Sequence, residues 1–360
     1  MRTDPDAPDR NEDRVTDSSD TTRRKLAAVV YNPIKIDLDA VKRVVAAEEQ
    51  AAGWEPTLWF ETSKEDPGGG QAKQALEAGA GVVIAAGGDG TVRAVAEVVE
   101  GTDAALALLP SGTGNLLARN LSLTLNDLEH SLHSAFAGGD RSIDVGLTDI
   151  YREDGSHTRH AFLVMAGFGI DAKMLAATDD ELKAKVGWLA YVKAFGQVLR
   201  DKNRLRLRFK LDGEDVRRMS AHTLIIGNAG SLPGNILLLP EAAVDDGLLD
   251  IVIMRPEQLV GWIQIFTKVL WENGVLGRVP FLRRFRTREV KALNYLRGKV
   301  LRVRLNHPEE IELDGDPFGK AIGMVTRVAE RGLTVRVPAD VAESPETPAE
   351  EQQPLAEADA

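Results

Sequence analysis

Two glycine-rich turns constrain this 360-residue chain more than any other feature. The first is Ala85-Ala86-Gly87-Gly88-Asp89-Gly90-Thr91, the second Leu108-Leu109-Pro110-Ser111-Gly112-Thr113-Gly114-Asn115. Each follows a short apolar run and precedes a segment of helical spacing. A turn of this kind lets backbone amides approach an anion, and the helix N-terminus adds partial positive charge. Neither has the lysine of a Walker A loop or the glycine spacing of the dinucleotide fingerprint. One such turn is a common connection. Two at successive strand ends can face a single polyphosphate, because open α/β sheets bind ligands outside their C-terminal strand ends. Asp89 then either holds magnesium or fixes its loop, and Thr91 offers a hydrogen-bond donor.

The surrounding segments alternate. Residues 26–31 read as a strand ended by Asn32-Pro33, 41–52 as a helix stopping at Gly53, and 57–62 as a strand. Residues 71–78 and 92–99 read as helices, 82–86 and 105–109 as strands, and a further helix starts near Leu116. This alternation argues for an α/β domain with a doubly wound, mostly parallel sheet. After about Asp144 come strand-like runs at 160–166, 204–211, 222–227, 248–254, 300–305 and 311–314, with few helices between them. They argue for a mainly antiparallel second domain, broken by helical insertions at about 179–200 and 257–272. Residues 149–160 read as a polar loop, and 333–337 as a last strand.

With 43% apolar residues, a full core is available. The absence of cysteine excludes disulfides, thiolate zinc sites and cysteine nucleophiles. No apolar run approaches the roughly 18 residues of a spanning helix. The N-terminal stretch has no apolar run of the kind a secretory signal needs, so a cytoplasmic chain is expected. Much of the net charge of −11 lies at the ends: residues 1–24 hold seven acids and five bases, and 338–360 hold seven acids and no base. Both ends are expected to be disordered tails. Within the body, residues 278–304 hold ten Lys or Arg and one acid, Glu289.

Taken in order, several motifs resemble the diacylglycerol kinase catalytic-domain family, which includes sphingosine kinases and bacterial lipid kinases. They are Tyr31-Asn32-Pro33, the two glycine loops, Ser142-Ile143-Asp144-Val145-Gly146 and Ala166-Gly167-Phe168-Gly169-Ile170-Asp171-Ala172. Gly227-Asn228-Ala229-Gly230, residues 240–250 (PEAAVDDGLLD) and Leu313-Asp314-Gly315-Asp316 complete the set. The resemblance covers roughly residues 26–337. It implies an NAD-kinase/diacylglycerol-kinase-like nucleotide domain at 25–145, rejoined by 322–337, and a β-sandwich lipid domain at 146–321. It implies ATP as donor, magnesium, and a lipid hydroxyl as acceptor, with diacylglycerol giving phosphatidic acid as the leading case and a sphingosine-type lipid as the alternative. ATP binding falls to Asn32, Pro33, Lys35, Thr62, Gly87, Gly88, Asp89, Gly90, Thr91, Gly112, Thr113 and Asn115. Asp316 matches the family's proton acceptor, supported by Asp314. A structural magnesium ion falls to the Asp246 carboxylate and backbone oxygens at Ala243 and Leu248.

The residues themselves leave alternatives beside this. Asp314 and Asp316 point the same way if the backbone there is extended, or they form a hairpin turn. Asp245-Asp246-Gly247-Leu248 is an oxygen site for a hard cation or a hydrogen-bonded turn. His130/His133 and His157/His160 lack a third ligand and read as surface histidines. Five positions depart from the family's usual residues. Arg93 replaces Asn, Leu116 replaces the Asp of bacterial diacylglycerol kinases, Lys35-Ile36 replaces Ser-Gly, and Asp316 replaces Glu. These motivate a non-enzyme rival, a lipid-sensing protein that keeps the fold without catalysis. An NAD or sugar kinase is the enzyme rival, opposed by the second glycine loop.

Residues 259–271, with Trp262, Phe266 and Trp271, are too apolar for an ordinary exposed helix. Arg278, Arg283, Arg284, Arg286 and Arg288 follow around Phe281, Leu282 and Phe285. The combination suits peripheral contact with an anionic membrane at its inner face, or a helix packed on the sandwich with solvated arginines. The segment Gly187-Trp188-Leu189-Ala190-Tyr191-Val192 is a second candidate for lining an acyl-chain groove. The expected partners are ATP, a lipid alcohol and that membrane, and no nucleic acid. A homodimer is left open.

Overall fold

The structure is a computed structural model that describes residues 24–169, 204–232, 236–239, 241–255 and 293–343. The expected insertions at 179–200 and 257–272, the segment 187–192, Arg278 to Arg288 and most of both tails lie outside the described residues.

Four short strands form the first sheet: β1 (Leu26–Tyr31), β2 (Glu55–Glu61), β3 (Val82–Gly87) and β4 (Ala105–Pro110). They pair in parallel in the order β2-β1-β3-β4. β1 and β3 are buried at every position, as their unbroken apolar runs require of strands covered on both faces. One face carries α1 (Leu38–Ala52) and α5 (Leu128–Ala137), through Val41, Val45, Leu132 and Phe136. The other carries α2 (Gly69–Glu77) and α3 (Asp89–Val99), through Ala72, Ala75, Val92, Val95 and Val99. α1 begins where the Asp37 side chain accepts from the Ala40 amide and ends at Gly53, with φ of 66°. α4 (Leu116–Asn120) is a single turn after the second glycine loop.

The rest is antiparallel. Its strands are β5 (Gly139–Tyr151), β6 (His157–Phe162), β7 (Met165–Phe168), β8 (Leu205–Leu211), β9 (Arg217–Ala221), β10 (Thr223–Gly227) and the short pair β11 (Ser231–Leu232) and β12 (Ile236–Leu237). β13 (Leu249–Met254), β14 (Leu293–Gly298), β15 (Val300–Leu313) and β16 (Asp316–Val337) follow. One layer runs β14-β13-β10-β7 and on to the end of β15. The other runs β9-β8 to the start of β15, then β16, β5 and β6. β15 serves both layers because its register breaks between Arg304 and Glu309. Between the layers Phe168, Ile226, Ile251 and Ile253 pack in one apolar cluster with Leu207, Phe209, Val303 and Met324. The mostly parallel first sheet and antiparallel sandwich are the two parts expected.

β16 joins them. Its last residues, Thr334 to Arg336, pair in parallel with β4, while its first half pairs with β15. Fourteen strands thus share one hydrogen-bonded sheet among the described residues. The stretch 149–160 is not a polar loop but a hairpin of β5 and β6, with Tyr151 opposite His157. Residues 151–159 are exposed or half-buried throughout, so the hairpin carries no alternating apolar signal. The run 160–166 is two strands, split at the Leu163-Val164 corner.

Candidate active site

β1 lies between β2 and β3; α1 follows β1, α2 follows β2, and the two helices pack on opposite faces of the sheet. Such a reversal opens a crevice at the C-terminal strand ends. Asn32 stands there. Its amide donates to the Ala86 carbonyl at 2.9 Å, and its side-chain oxygen accepts from Ile34 N at 3.0 Å. The resulting turn leaves Pro33, Ile34 and Lys35 exposed. Thr62 follows β2, is buried, and donates its amide to the Tyr31 carbonyl at 2.9 Å.

The two glycine loops meet beside this crevice. Gly88 caps α3, its carbonyl accepting from Thr91 N and Val92 N at 3.0 Å each. Thr91 is buried against Gly87. A Cβ on Gly112 would stand 2.9 Å from the Gly88 Cα, so the two backbones touch where only glycine fits. Asn115, at φ of 47°, closes the second loop by accepting from Gly112 N at 3.1 Å and donating to Gly112 O at 2.9 Å. Arg119 Nε donates to Gly114 O at 2.8 Å. The Asp89 carboxylate accepts from Leu116 N at 2.6 Å, and a Cβ on Gly114 would collide with it. Asp89 therefore fixes a loop, and the loop it fixes is the second one. Burial pushes its carboxyl upward, the amides of Leu116 and Asn115 pull it back, and the nearby Asp316 charge raises it again.

Asp316 begins β16 and leans over the first turn of α3. A Cβ on Gly90 would stand 2.9 Å from its Oδ2. Its side chain is 45% exposed, whereas that of Arg93, whose Nη2 lies 3.5 Å from the same oxygen, is 9% exposed. The Arg93 guanidinium stacks 4.5 Å from the Phe318 ring centroid and lies 3.6 Å from Glu97 Oε2. Its buried Nε has no partner among the described residues. Glu97 in turn accepts from Ala161 N at 2.9 Å and meets His160 Nδ1 at 3.5 Å. The expected list omitted Glu97, His160 and Phe318, and noted Arg93 only as a departure. The one signal for this group was the Arg93/Glu97 spacing of four along α3. Asp316 stands over Gly90 and its charge acts on Asp89 beside the second loop; the two carboxylates are hard oxygen donors of the kind a magnesium-bound nucleotide takes.

Asp314 does something else. The turn is not extended: Asp314 and Gly315 have φ of 49° and 87°, as a two-residue hairpin with both central residues left-handed demands. The two carboxylates therefore diverge. That of Asp314 is buried and accepts from Leu163 N and Val164 N at 2.8 Å and Met165 N at 2.9 Å. Burial pushes it up to about 6, against the pull of those three amides. It pins the β6–β7 corner to the hairpin and leaves Asp316 facing the loops.

The residues present do not fit the structural magnesium ion expected at Asp246. One Asp246 oxygen accepts from Leu248 N at 2.9 Å and the other pairs with the Arg297 guanidinium. Arg297 Nε also meets Asp250 at 3.1 Å. Burial pushes the Asp250 carboxyl up to about 6, with Arg297 pulling it back. The cation in this turn, flanked by Ala243 and Leu248, is a guanidinium. No cluster of three or more His, Asp or Glu suited to a metal occurs among the described residues.

Residues 27–148 match the model of the diacylglycerol kinase catalytic domain, and 164–335 that of the YegS C-terminal NAD kinase beta sandwich-like domain. The chain is 32% identical over 284 residues to a probable lipid kinase YegS-like of Pseudomonas aeruginosa strain UCBPP-PA14, covering 74% of this chain and 80% of that one. It is 30% identical over 325 residues to the corresponding Pseudomonas syringae pv. tomato protein, covering 89% and 95%. A crystal structure of a diacylglycerol kinase from Bacillus anthracis str. Sterne superposes with a TM-score of 0.61 at 18% identity, over 89% of this chain and 99% of that one, and so shares the fold. Both halves match in order, and the relatives are matched at 30–32% identity over 284 to 325 residues. The chain therefore belongs to the diacylglycerol kinase family, as an ATP-dependent lipid kinase of the YegS-like group.

Proposed function

We propose that the acceptor is diacylglycerol, the product phosphatidic acid, and Asp316 the group that takes the hydroxyl proton. The observation that carries this is a half-exposed carboxylate over the first turn of α3, where two glycine loops touch. In this reading the phosphates of ATP lie on the loop amides of Gly87 to Thr91 and Gly112 to Asn115, with Asn32, Lys35 and Thr62 at the neighbouring strand ends. Asp89 and Asp316 would hold the nucleotide's magnesium ion, which supplies charge neutralisation on the phosphates. As the lipid oxygen attacks the γ-phosphorus, its proton passes to the Asp316 carboxylate and ADP leaves with the electron pair of the broken P–O bond. The nucleotide domain is residues 25–145 with 322–337, the lipid domain 146–321, and the enzyme works at the cytoplasmic face of a membrane.

Purified chain with labelled ATP and magnesium is offered diacylglycerol, monoacylglycerol, sphingosine, phosphatidylglycerol and NAD. Label on diacylglycerol above the others supports the reading, and Asp316→Asn leaves only a small residual turnover while ATP still binds. A preference for sphingosine or another lipid overturns the acceptor. Full turnover in Asp316→Asn overturns the base.

A further inference from the structure

The outer face of the β9-β8-β15 layer carries like charges in register. Along β8, Leu205, Leu207, Phe209 and Leu211 are buried, so Arg206, Arg208 and Lys210 point outward. Arg304 of β15 lies opposite Arg208, which lies opposite Arg218 of β9. Arg302 lies opposite Lys210. Arg206, Arg208, Arg218, Arg302 and Arg304 are all exposed. Side chains directly opposite across a strand pair stand about 5 Å apart, and like charges there destabilise the sheet. Among the described residues no carboxylate forms an ion pair with any of them; in the adjoining turn Glu214 pairs with Arg217, and Asp212 accepts from the amides of Lys299 and Val300. Further across the same layer Asp149 is already shared by Arg159 and Arg327 at 2.8 and 3.1 Å.

We propose that this face docks on an anionic lipid bilayer. A row of three arginines across three strands, with Lys210–Arg302 beside it, is a cationic sheet face. A leaflet of anionic headgroups is flat and supplies many negative charges at once, which relieves the cross-strand repulsion. Nucleic acid would also neutralise the charge, but single strands need aromatic stacking platforms between the bases. The outward positions of β8, β9 and β15 hold none. Only Arg302 and Arg304 belong to the basic run 278–304 of the sequence. The other cations come from β8 and β9, so the face is assembled from three strands and not from that sequence run alone. β15 carries it at one end and leads into the Asp314-Gly315-Asp316 turn at the other.

The inference is independent of which alcohol is phosphorylated, because sedimentation needs no turnover. The full chain is spun with phosphatidylcholine vesicles, with and without phosphatidylglycerol. Wild type binds only the anionic vesicles. The triple variant Arg208→Gln, Arg302→Gln, Arg304→Gln binds them on the order of a hundredfold more weakly, from the contribution of each basic residue near a charged surface. Its melting temperature is unchanged or higher, and its turnover of a short-chain soluble diacylglycerol stays at the wild-type level. Raised salt weakens wild-type binding in the same way. Wild-type sedimentation by the triple variant, or loss of sedimentation only when Arg283, Arg284, Arg286 and Arg288 become Gln, overturns the proposal. So does tighter binding of wild type to an oligonucleotide than to anionic vesicles at equal salt.

Discussion

Replacing Arg93 by methionine keeps an unbranched stem against the Phe318 ring and removes the charge facing Asp316. The two groups are 3.5 Å apart, with side chains 9% and 45% exposed. Unit charges at that separation attract by roughly 5 kcal/mol at an effective dielectric of about 20. Solvent around the half-exposed carboxylate screens most of this. Fully exposed pairs return about 1 kcal/mol or less, whereas breaking a buried pair costs about 3–5 kcal/mol. A pair buried at one end falls between, at about 1–2 kcal/mol, which corresponds to roughly 5–30-fold in rate. The assay is kcat and KM for wild type, Arg93→Met, Asp316→Asn and the double variant. Arg93→Met lowers kcat by that factor and leaves KM for ATP within about twofold, as expected for a residue that positions the acceptor and does not bind nucleotide. Arg93→Lys, which keeps the charge without the planar fork, recovers part of the loss. In the Asp316→Asn background Arg93→Met costs nothing further, because its partner is gone. An equal loss in both backgrounds refutes the coupling and assigns Arg93 to substrate phosphate or to folding. Arg93 and Asp316 are also two departures from the family's usual Asn and Glu, and the structure brings them together. The exchange Arg93→Asn with Asp316→Glu therefore retains turnover that either change alone loses.

Gly112→Ala drives a Cβ to 2.9 Å from the Gly88 Cα, so the loops separate. ATP affinity falls at least tenfold, measured by calorimetry, or about 1.4 kcal/mol; unchanged affinity removes the loop contact from nucleotide binding. Asp314→Ala strips the acceptor from three buried amides and costs on the order of 3–5 kcal/mol in denaturant titration. Its carboxyl, pushed up to about 6 by burial, binds a proton more tightly folded than unfolded. Its contribution is therefore fully present below about pH 4 and lost as pH rises through 6. Asp314→Asn flattens the stability profile between those limits, leaving the slope that Asp250, also pushed up to about 6, supplies; an unaltered profile shows that Asp314 is not protonated on folding. Replacing magnesium by a chelator leaves the wild-type melting temperature in place, because Arg297 already neutralises Asp246 and Asp250. Arg297→Met loses on the order of 2 kcal/mol, discounted because the guanidinium is 36% exposed. A magnesium-dependent rise in wild-type stability refutes that assignment.

The parallel half of the fold was legible because its strands are buried on both faces and read as plain apolar runs, as at Leu26 to Tyr31 and Val82 to Gly87. The glycine loops were legible for a related reason. Close backbone approach admits only one residue type, so Gly87, Gly112 and Gly114 mark it directly. β9 and β14 were missed because each is short and buries only one or two of its residues. β15 was read as two pieces because Asn306-His307-Pro308 interrupts its pattern where it changes layer. The site was harder. Arg93 and Asp316 are 223 positions apart, and no spacing rule links them. The divergence of Asp314 from Asp316 depends on left-handed φ at Asp314 and Gly315, which Asp-Gly permits without compelling. Arg297 is 51 positions from Asp246, so the guanidinium in the expected metal turn could not be anticipated.

The carboxylate and the loops it faces come from opposite ends of the sequence, yet one strand sets the distance between them. β16 starts at Asp316 and reaches β4 at Thr334 to Arg336, and β4 ends where the second glycine loop begins. Along the way β16 is paired to β15 on one side and to β5 on the other. A hinge between the two halves would have to break this ladder, because no flexible linker separates Asp316 from the nucleotide sheet. Three amide bonds to Asp314 then fix the hairpin from below, and Arg93 fixes the carboxylate from the side. Preorganisation of that kind keeps the acceptor in place before substrate arrives, which is where positioning lowers a phosphoryl-transfer barrier. The lipid must therefore come to a fixed carboxylate, and a cationic face that shares β15 with this ladder would bring the sheet to the bilayer with that carboxylate already set.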